Sequence, residues 1–396
     1  MSVPPTKIII IGGGVVGSSL AHILSSHPNL SIVVLSPPQT SSTSIAPGLI
    51  GQLNALPALT TLAKASVRAY LSLPPGAFSQ VGGLEIASSP EGIATLESRL
   101  KLAHAAGLDA KLVSSEEAAE LAPQFHVPDS VSKGLQFLTD GVAEPTKIVD
   151  AYQASARANG AAFLSIKALG IEHSNGAVTG VNTPTGTLPA DKVIVASGIW
   201  APAIVEPLIH LPLIPVAHPY VHGATRPVRA KSSPFVRYPE KSVYARDHGD
   251  NDGFGSYDHA PLPVSVGASA EMGWEGEFDG AVERAVSLFP EETRRGMRGE
   301  GARRLNGVFA VTHDGLPIAG PVPGVEGLWV AAAVWVTHAA GVAGLVADMV
   351  MGKEGRGVEE EEVRKALDPG RFGGRGGEEL KGEALGRYND IYNLEE

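Results

Sequence analysis

The first residues with chemical potential are glycines. Gly12-Gly13-Gly14-Val15-Val16-Gly17 directly follows Lys7-Ile8-Ile9-Ile10-Ile11, a β-branched run that predicts a buried parallel strand. Ser18 to Leu24 then reads as a helix, and Ser31 to Leu35 as a second strand. A glycine fingerprint between strand and helix is built to hold the pyrophosphate of a dinucleotide. Gly12 permits the tight turn, Gly14 lets the pyrophosphate approach the backbone, and Gly17 lets the helix pack on the sheet. Val15 and Val16 complete the turn, so the phosphates sit at the positive end of the helix dipole. The second strand of such a unit should end in an acid for the ribose hydroxyls. Here Ser36 stands after Leu35, followed by Pro37 and Pro38, and a neutral hydroxyl bonds more weakly than a carboxylate.

A second group is polar and aromatic. His218, Tyr220 and His222 alternate, which puts them on one face of a strand, and Tyr244 and Arg246 likewise share a face. Histidine titrates close to neutral pH, so it can hold or pass a proton. The competing reading is a core histidine satisfied by its neighbours. The 12 histidines are scattered, and the one i, i+4 pair, His218 and His222, lies in an alternating strand pattern and not on a helix, so no metal is expected. His222, His248 and His259 are expected to be structural or exposed.

The elements that must position these groups form a large chain. Its 396 residues suffice for two or three domains and a substantial core. Zero cysteine excludes disulfides, thiolate nucleophiles, iron–sulfur clusters and zinc–thiolate sites. A net charge of −11 without basic clusters excludes a nucleic-acid partner. The 47 glycines and 30 prolines indicate many tight turns between short elements. Glu359 to Glu362 reads as a solvated helix face or tail. Lys7 to Val16 is basic and then apolar, but its glycines do not suit a signal peptide. Leu328 to Ala347 is about long enough to span a bilayer, yet Thr337, His338, Gly341 and Gly344 lie inside it. A buried strand over 328–334 and a helix over 340–351 explain it better. No membrane association is expected, and a cytoplasmic location is, with the mitochondrial matrix also compatible.

After the glycine unit the chain departs from regular βα repeats. Val81 to Ala87 reads as a strand, Glu91 to Ala106 and Lys147 to Asn159 as helices, and Ala162–Ile166 and Ala177–Asn182 as strands. The second of that last pair is entered through an Asn175-Gly176 hairpin turn. Lys192 to Val195 is another apolar strand, ending in the small-residue turn Ala196-Ser197-Gly198.

These segments, with Ser42-Thr43-Ser44-Ile45-Ala46-Pro47-Gly48-Leu49, Val81-Gly82-Gly83-Leu84-Glu85, Val216-Ala217-His218-Pro219-Tyr220 and Tyr244-Ala245-Arg246-Asp247-His248, carry a resemblance. So do Gly255-Ser256-Tyr257-Asp258-His259, Asn306-Gly307-Val308-Phe309, Ala333 to Val342, and Ile391-Tyr392 near the end. The chain resembles the superfamily of D-amino-acid oxidase, sarcosine oxidase and glycine oxidase. It is most similar to the flavin half of the dimethylglycine oxidases and dehydrogenases, without their folate-binding half.

The resemblance implies an α/β fold: a Rossmann-like FAD-binding domain of glutathione-reductase type with a β-rich, mixed-sheet substrate domain. The expected FAD-binding pieces are 1–80, 142–213 and 303–396, and the substrate domain 81–141 and 214–302. Expected cofactor contacts extend to Ser36, Ser42, Thr43, Ser44, Leu49, Ala168, Ser197 and Gly198. Trp335, Val336, Thr337 and His338 would face the flavin ring, with the following helix N-terminus stabilising the anion of reduced flavin. In the resembled family a histidine bonds covalently to FAD. Its position here is Ile45, which cannot, so non-covalent FAD is expected. The resemblance also implies that His218 and Tyr244 organise a substrate amine, with Arg246 as a candidate for a substrate carboxylate and His338 as a further substrate contact.

The implied reaction is oxidation of a small secondary or tertiary amine, such as dimethylglycine or sarcosine, to an iminium. Oxygen or an electron-transfer partner would then reoxidise the flavin. Two alternatives stay open: the same chemistry on a D-amino acid, imino acid or pathway-specific amine, and a flavin-binding assembly scaffold with little turnover.

Overall fold

A computed structural model describes residues 4–206, 208–373, 375 and 377–391. Tyr392, part of the terminal motif singled out above, lies outside the described residues. The run of isoleucines becomes the strand Thr6–Ile11 at the heart of a six-stranded sheet. Across that sheet the order is Ile318–Pro321, Leu328–Ala332, Lys192–Val195, Thr6–Ile11, Leu30–Leu35 and Ala162–Leu164. All neighbours are parallel except the first pair. Ile8, Ile9 and Ile10 have no exposed surface, because both faces of the strand are covered. Ile8 and Ile10 pack under the helices Val15–Ser25, Pro145–Ala158 and Ala339–Val350. Ile9 and Ile11 meet a small antiparallel sheet of Gly170–Ser174, Ala177–Thr183 and Gly186–Pro189. Its first turn is Asn175-Gly176, both at positive φ (51° and 78°), as a tight two-residue hairpin requires.

The second large element is a ten-stranded mixed sheet. In order along its main path come Glu271–Met272, Arg303–Thr312, Leu213–His222, Asp252–Ser256, Val243–Asp247, Phe235–Tyr238, Gly83–Ala87, Lys133–Phe137 and Ala110–Ser114. Leu262–Pro263 pairs with Leu213–His222 off this path. Leu213–His222 and Arg303–Thr312 are matched over their whole length, from Leu213 opposite Thr312 to His222 opposite Arg303. By pairing, therefore, the start of the expected third FAD piece belongs to this sheet. The helix Gly377–Asn389 packs on those two long strands and buries Leu380, Ala384 and Tyr388.

The apolar stretch near the C-terminus divides as expected, with a shorter strand and the helix shifted by one residue. The strand Leu328–Ala332 stops at Ala333, whose φ of 53° takes it out of the sheet, and the helix Ala339–Val350 follows. Glu359, Glu360 and Glu361 occupy the first turn of the helix Val358–Leu367, where negative charge complements the helix dipole. Among the described residues, no helix is long and apolar enough to cross a membrane.

Candidate active site

The glycine turn is as tight as its sequence demands. Gly12 has a φ of +111°, and a Cβ there would lie 2.4 Å from the Ala196 carbonyl oxygen. A Cβ on Gly17 would come within 1.9 Å of the Gly12 carbonyl oxygen, so the helix can rest on the strand only with glycine there. Gly13 faces Ser36, whose Oγ would lie 2.7 Å from an added Cβ. The Val15 amide donates to Thr43 Oγ1 at 3.2 Å, which brings the Ser/Thr-rich loop onto the helix N-terminus. A Cβ on Gly14 would meet that same Oγ1 at 3.0 Å. Ser197 Oγ, at the second small-residue turn, is buried and has no hydrogen-bond partner among the described residues. A side-chain-free cradle at a helix N-terminus, flanked by Ser36 and an unsatisfied Ser197 hydroxyl, fits a bound dinucleotide.

Beyond the cradle lies a cavity of about 240 Å³. Val15, Ser42, Thr43, Ile45 and Leu49 line one side of it. Trp335, Val336, Thr337 and His338 line another. These loops are fixed by bonds to backbone carbonyls. Ser42 Oγ donates to Val308 O (2.6 Å), Thr337 Oγ1 to Leu49 O (3.1 Å) and Trp335 Nε1 to Ala310 O (3.3 Å). His338 is buried, its pKa is lowered to about 3 by desolvation, and its Nε2 has no hydrogen-bond partner among the described residues. A neutral imidazole nitrogen thus borders the cavity.

His218 and Tyr244 also line the cavity, and they meet directly. His218 Nε2 and Tyr244 Oη are 2.8 Å apart, with the rings nearly parallel (6°). His218 Nδ1 lies 2.7 Å from Tyr388 Oη, and the same hydroxyl lies 2.7 Å from His259 Nε2. Tyr257 packs against the His218 ring with centroids 4.4 Å apart. Burial drives the His218 pKa well below its ordinary value, and nearby His259 lowers it further. The imidazole is therefore neutral at physiological pH.

Several expectations change. Arg246 does not line the cavity. Its guanidinium donates to Pro47 O (2.6 Å), Ala143 O (2.8 Å) and Glu144 Oε1 (2.7 Å), so it is committed to holding the chain together and not to a substrate carboxylate. The alternation rule had its face right, but the neighbour on that face is backbone. Ser44 is exposed and closes a capping box with Ser41, its Oγ donating to Ser41 O at 2.8 Å and accepting from the Ser41 amide at 3.1 Å, so its hydroxyl is used locally. Ala168 is buried in the apolar layer beneath the six-stranded sheet. Gly198 takes φ +57° just past the strand Lys192–Val195. Neither Ala168 nor Gly198 lines the cavity, and Ser36 and Ser197 of the cradle do not line it either.

His259 is drawn into the His218 cluster through Tyr388, contrary to the structural or exposed role expected of it. His222 and His248 stand apart, bonded to Asn251 and Tyr220. Sequence reasoning passed over Tyr388, Arg99 and Arg237. The last two line the cavity, and the Glu85 carboxylate backs them through two bonds from Arg99 (2.7 and 2.8 Å) and a 3.8 Å approach of Arg237. Arg99 lies in the helix Pro90–Ala105 and Arg237 in the strand Phe235–Tyr238, and positive charge was their only sequence signal. No group of His, Asp or Glu able to hold a metal occurs among the described residues.

Residues 7–349 match the FAD dependent oxidoreductase family, known as DAO, and the chain belongs to that family. FAD is accordingly its cofactor. It is 27% identical over 394 residues to mitochondrial dimethylglycine dehydrogenase of Rattus norvegicus, a match covering 93% of this chain and 45% of that protein. The chain thus spans about half the length of the curated relatives it matches. Glycine oxidase of Bacillus licheniformis is 29% identical over 210 residues, covering 50% of this chain and 55% of that protein. In fold it is similar to L-proline dehydrogenase from P. horikoshii, with a TM-score of 0.78 at 23% identity, covering 93% of this chain and 98% of that one.

Proposed function

We propose that this protein oxidises the C–N bond of a small secondary or tertiary amino acid, of dimethylglycine or sarcosine type, to an iminium. The observation that carries this reading is the His218–Tyr244 pair, buried and bonded at 2.8 Å on the wall of the cavity that adjoins the glycine cradle. FAD, when bound, supplies the acceptor for the hydride lost from the carbon beside nitrogen. The chain's own residues do the rest. The nitrogen must offer a lone pair before that C–H bond can yield its hydride, so any ammonium proton has to leave first. Tyr244 and neutral His218 are placed to take it. Arg237 and Arg99, on the same cavity wall and backed by Glu85, suit a carboxylate better than Arg246 does. Water then converts the iminium to the demethylated amine and formaldehyde.

Gly12, Gly14, Gly17, Ser36, Thr43 and Ser197 hold the dinucleotide, and the loop from Trp335 to His338 borders the ring. Ile45 on the cavity wall offers no nucleophile, so the flavin is held without a covalent bond. The FAD-binding domain is then 1–80, 142–213 and 313–396. The substrate domain is 81–141 and 214–312, its limit moved to keep the long strand pair together.

The test is to purify the flavoprotein, remove oxygen and add dimethylglycine, sarcosine or D-amino acids in turn. Bleaching of the flavin by an N-methylated glycine is expected. Bleaching only by a D-amino acid moves the substrate class, and none by any amine reduces the protein to a flavin-binding scaffold. Acid precipitation should release all of the yellow colour to the supernatant. Oxygen uptake on readmitting air separates an oxidase from a dehydrogenase that needs another acceptor.

A further inference from the structure

A base buried as deeply as His218 must be able to lose the proton it gains, or it works once. The described bonds around it run in series, with one long side contact from Tyr388 Oη to the Ala217 carbonyl oxygen at 3.5 Å. Tyr244 Oη contacts His218 Nε2 (2.8 Å), His218 Nδ1 contacts Tyr388 Oη (2.7 Å), and Tyr388 Oη contacts His259 Nε2 (2.7 Å). The series ends where His259 Nδ1 lies 2.8 Å from the Ala260 carbonyl oxygen. That last contact fixes all the others. A carbonyl only accepts, so His259 carries its proton on Nδ1 and its Nε2 accepts from Tyr388. With its own proton given to His259, the Tyr388 oxygen accepts from His218 Nδ1–H. His218 Nε2 is then the acceptor of the Tyr244 hydroxyl. Every proton in the series points away from Tyr244 and towards His259.

We propose that Tyr388 and His259 are the exit path for the substrate proton, linking buried His218 to the half-buried ring of His259. The inference rests on the amine oxidation proposed above. The amine N–H bond breaks as its proton joins Tyr244 Oη, and the Tyr244 proton passes to His218 Nε2. The His218 Nδ1 proton passes to Tyr388, and that of Tyr388 to His259 Nε2. No electrons leave the substrate in these transfers. The substrate is one proton poorer, His259 becomes an imidazolium, and water takes the proton from it. Burial lowers the His259 pKa, which favours release of the proton to water, while the Ala260 carbonyl and Asp258 partly oppose it, and Arg284 in turn holds Asp258 at 2.5 Å. The remaining neighbours are the edge of Phe278 and the Asn389 amide, which donates to the His259 carbonyl at 2.8 Å.

The matched family segment ends at 349, so Tyr388 comes from a helix beyond it. Tyr388 and His259 are positioning and relay residues, not groups that touch substrate.

Two measurements test the path. Nitrogen-15 histidine spectra of the wild-type holoprotein, without substrate, should show His218 and His259 both protonated on Nδ1. An Nε2–H form of His218 overturns the proposal whether or not an amine substrate is known. Where an amine bleaches the wild type, Tyr388→Phe should slow bleaching about 10- to 100-fold with unchanged substrate affinity. His259→Ala should be slowed as much and be restored by added imidazole, while Tyr388→Phe is not. Wild-type rates in both variants, or a His259→Ala defect that imidazole leaves untouched, overturn it. Failure of every amine to bleach the wild type counts against the function alone, because the spectra still decide the proton array.

Discussion

The two ends of the cavity are built on opposite plans. The dinucleotide end is local: strand, glycine turn, helix and second strand lie within residues 6–35, and its chief requirement is that side chains be missing. The proposed amine end is assembled from afar. His218, Tyr244, His259 and Tyr388 come from separate segments, and all four are joined through polar atoms. One end is therefore sensitive to added bulk, the other to lost hydroxyls and imidazoles.

Gly17→Val should have the largest effect. Its branched side chain meets the Gly12 carbonyl, and a loss of at least about 3 kcal/mol is expected, with little flavin retained. Flavin-to-protein absorbance and a thermal melt check this, and a stable yellow variant would break the contrast. His218→Ala should do the reverse. Flavin content stays normal while amine-driven bleaching slows about 10²- to 10⁴-fold in stopped flow. Equal turnover in that variant would remove His218 from the chemistry.

The smallest effect concerns Asp140, fully buried near the cavity wall. Desolvation raises its pKa to about 7, against opposing bonds from Gln52. The native state holds this proton more tightly than the unfolded chain. Stability is therefore highest below about pH 4 as far as this group is concerned, and falls as pH rises towards about 7. Asp140→Asn should flatten that slope, by up to a few kcal/mol (about 1.4 per unit of pKa), in denaturant titrations at several pH values. An unchanged slope would show that Asp140 is already ionised in the folded protein.

The same contrast decides what could be read in advance. Gly12 to Gly17 announces its turn because backbone geometry leaves few alternatives. The strands at 6–11 and 192–195 announce their burial through β-branched runs. Alternation correctly placed His218 on a strand face, but alternation cannot say what covers that face. This is why Arg246 looked available when Pro47, Ala143 and Glu144 occupy it. Tyr388 was illegible for a similar reason. A tyrosine in a charged, glycine-rich helix has no local mark of its contact with a histidine far back in the chain. The expected third FAD piece begins at 303, yet the strand Arg303–Thr312 pairs with Leu213–His222 of the ten-stranded sheet, a partner nearly a hundred residues away at one end that no local pattern announces.

The pairing of Leu213–His222 with Arg303–Thr312 has a consequence in time as well as in space. It closes a loop of some eighty residues at its nearest point, whereas the glycine unit closes on itself within thirty. Loop closure on that scale, in a sheet dominated by distant pairings, is slow. During folding the cradle for the dinucleotide can form while the other wall is still unmade. The cofactor can then serve as a template against which the later strands and the last helix settle, and the protein can be yellow before it is active.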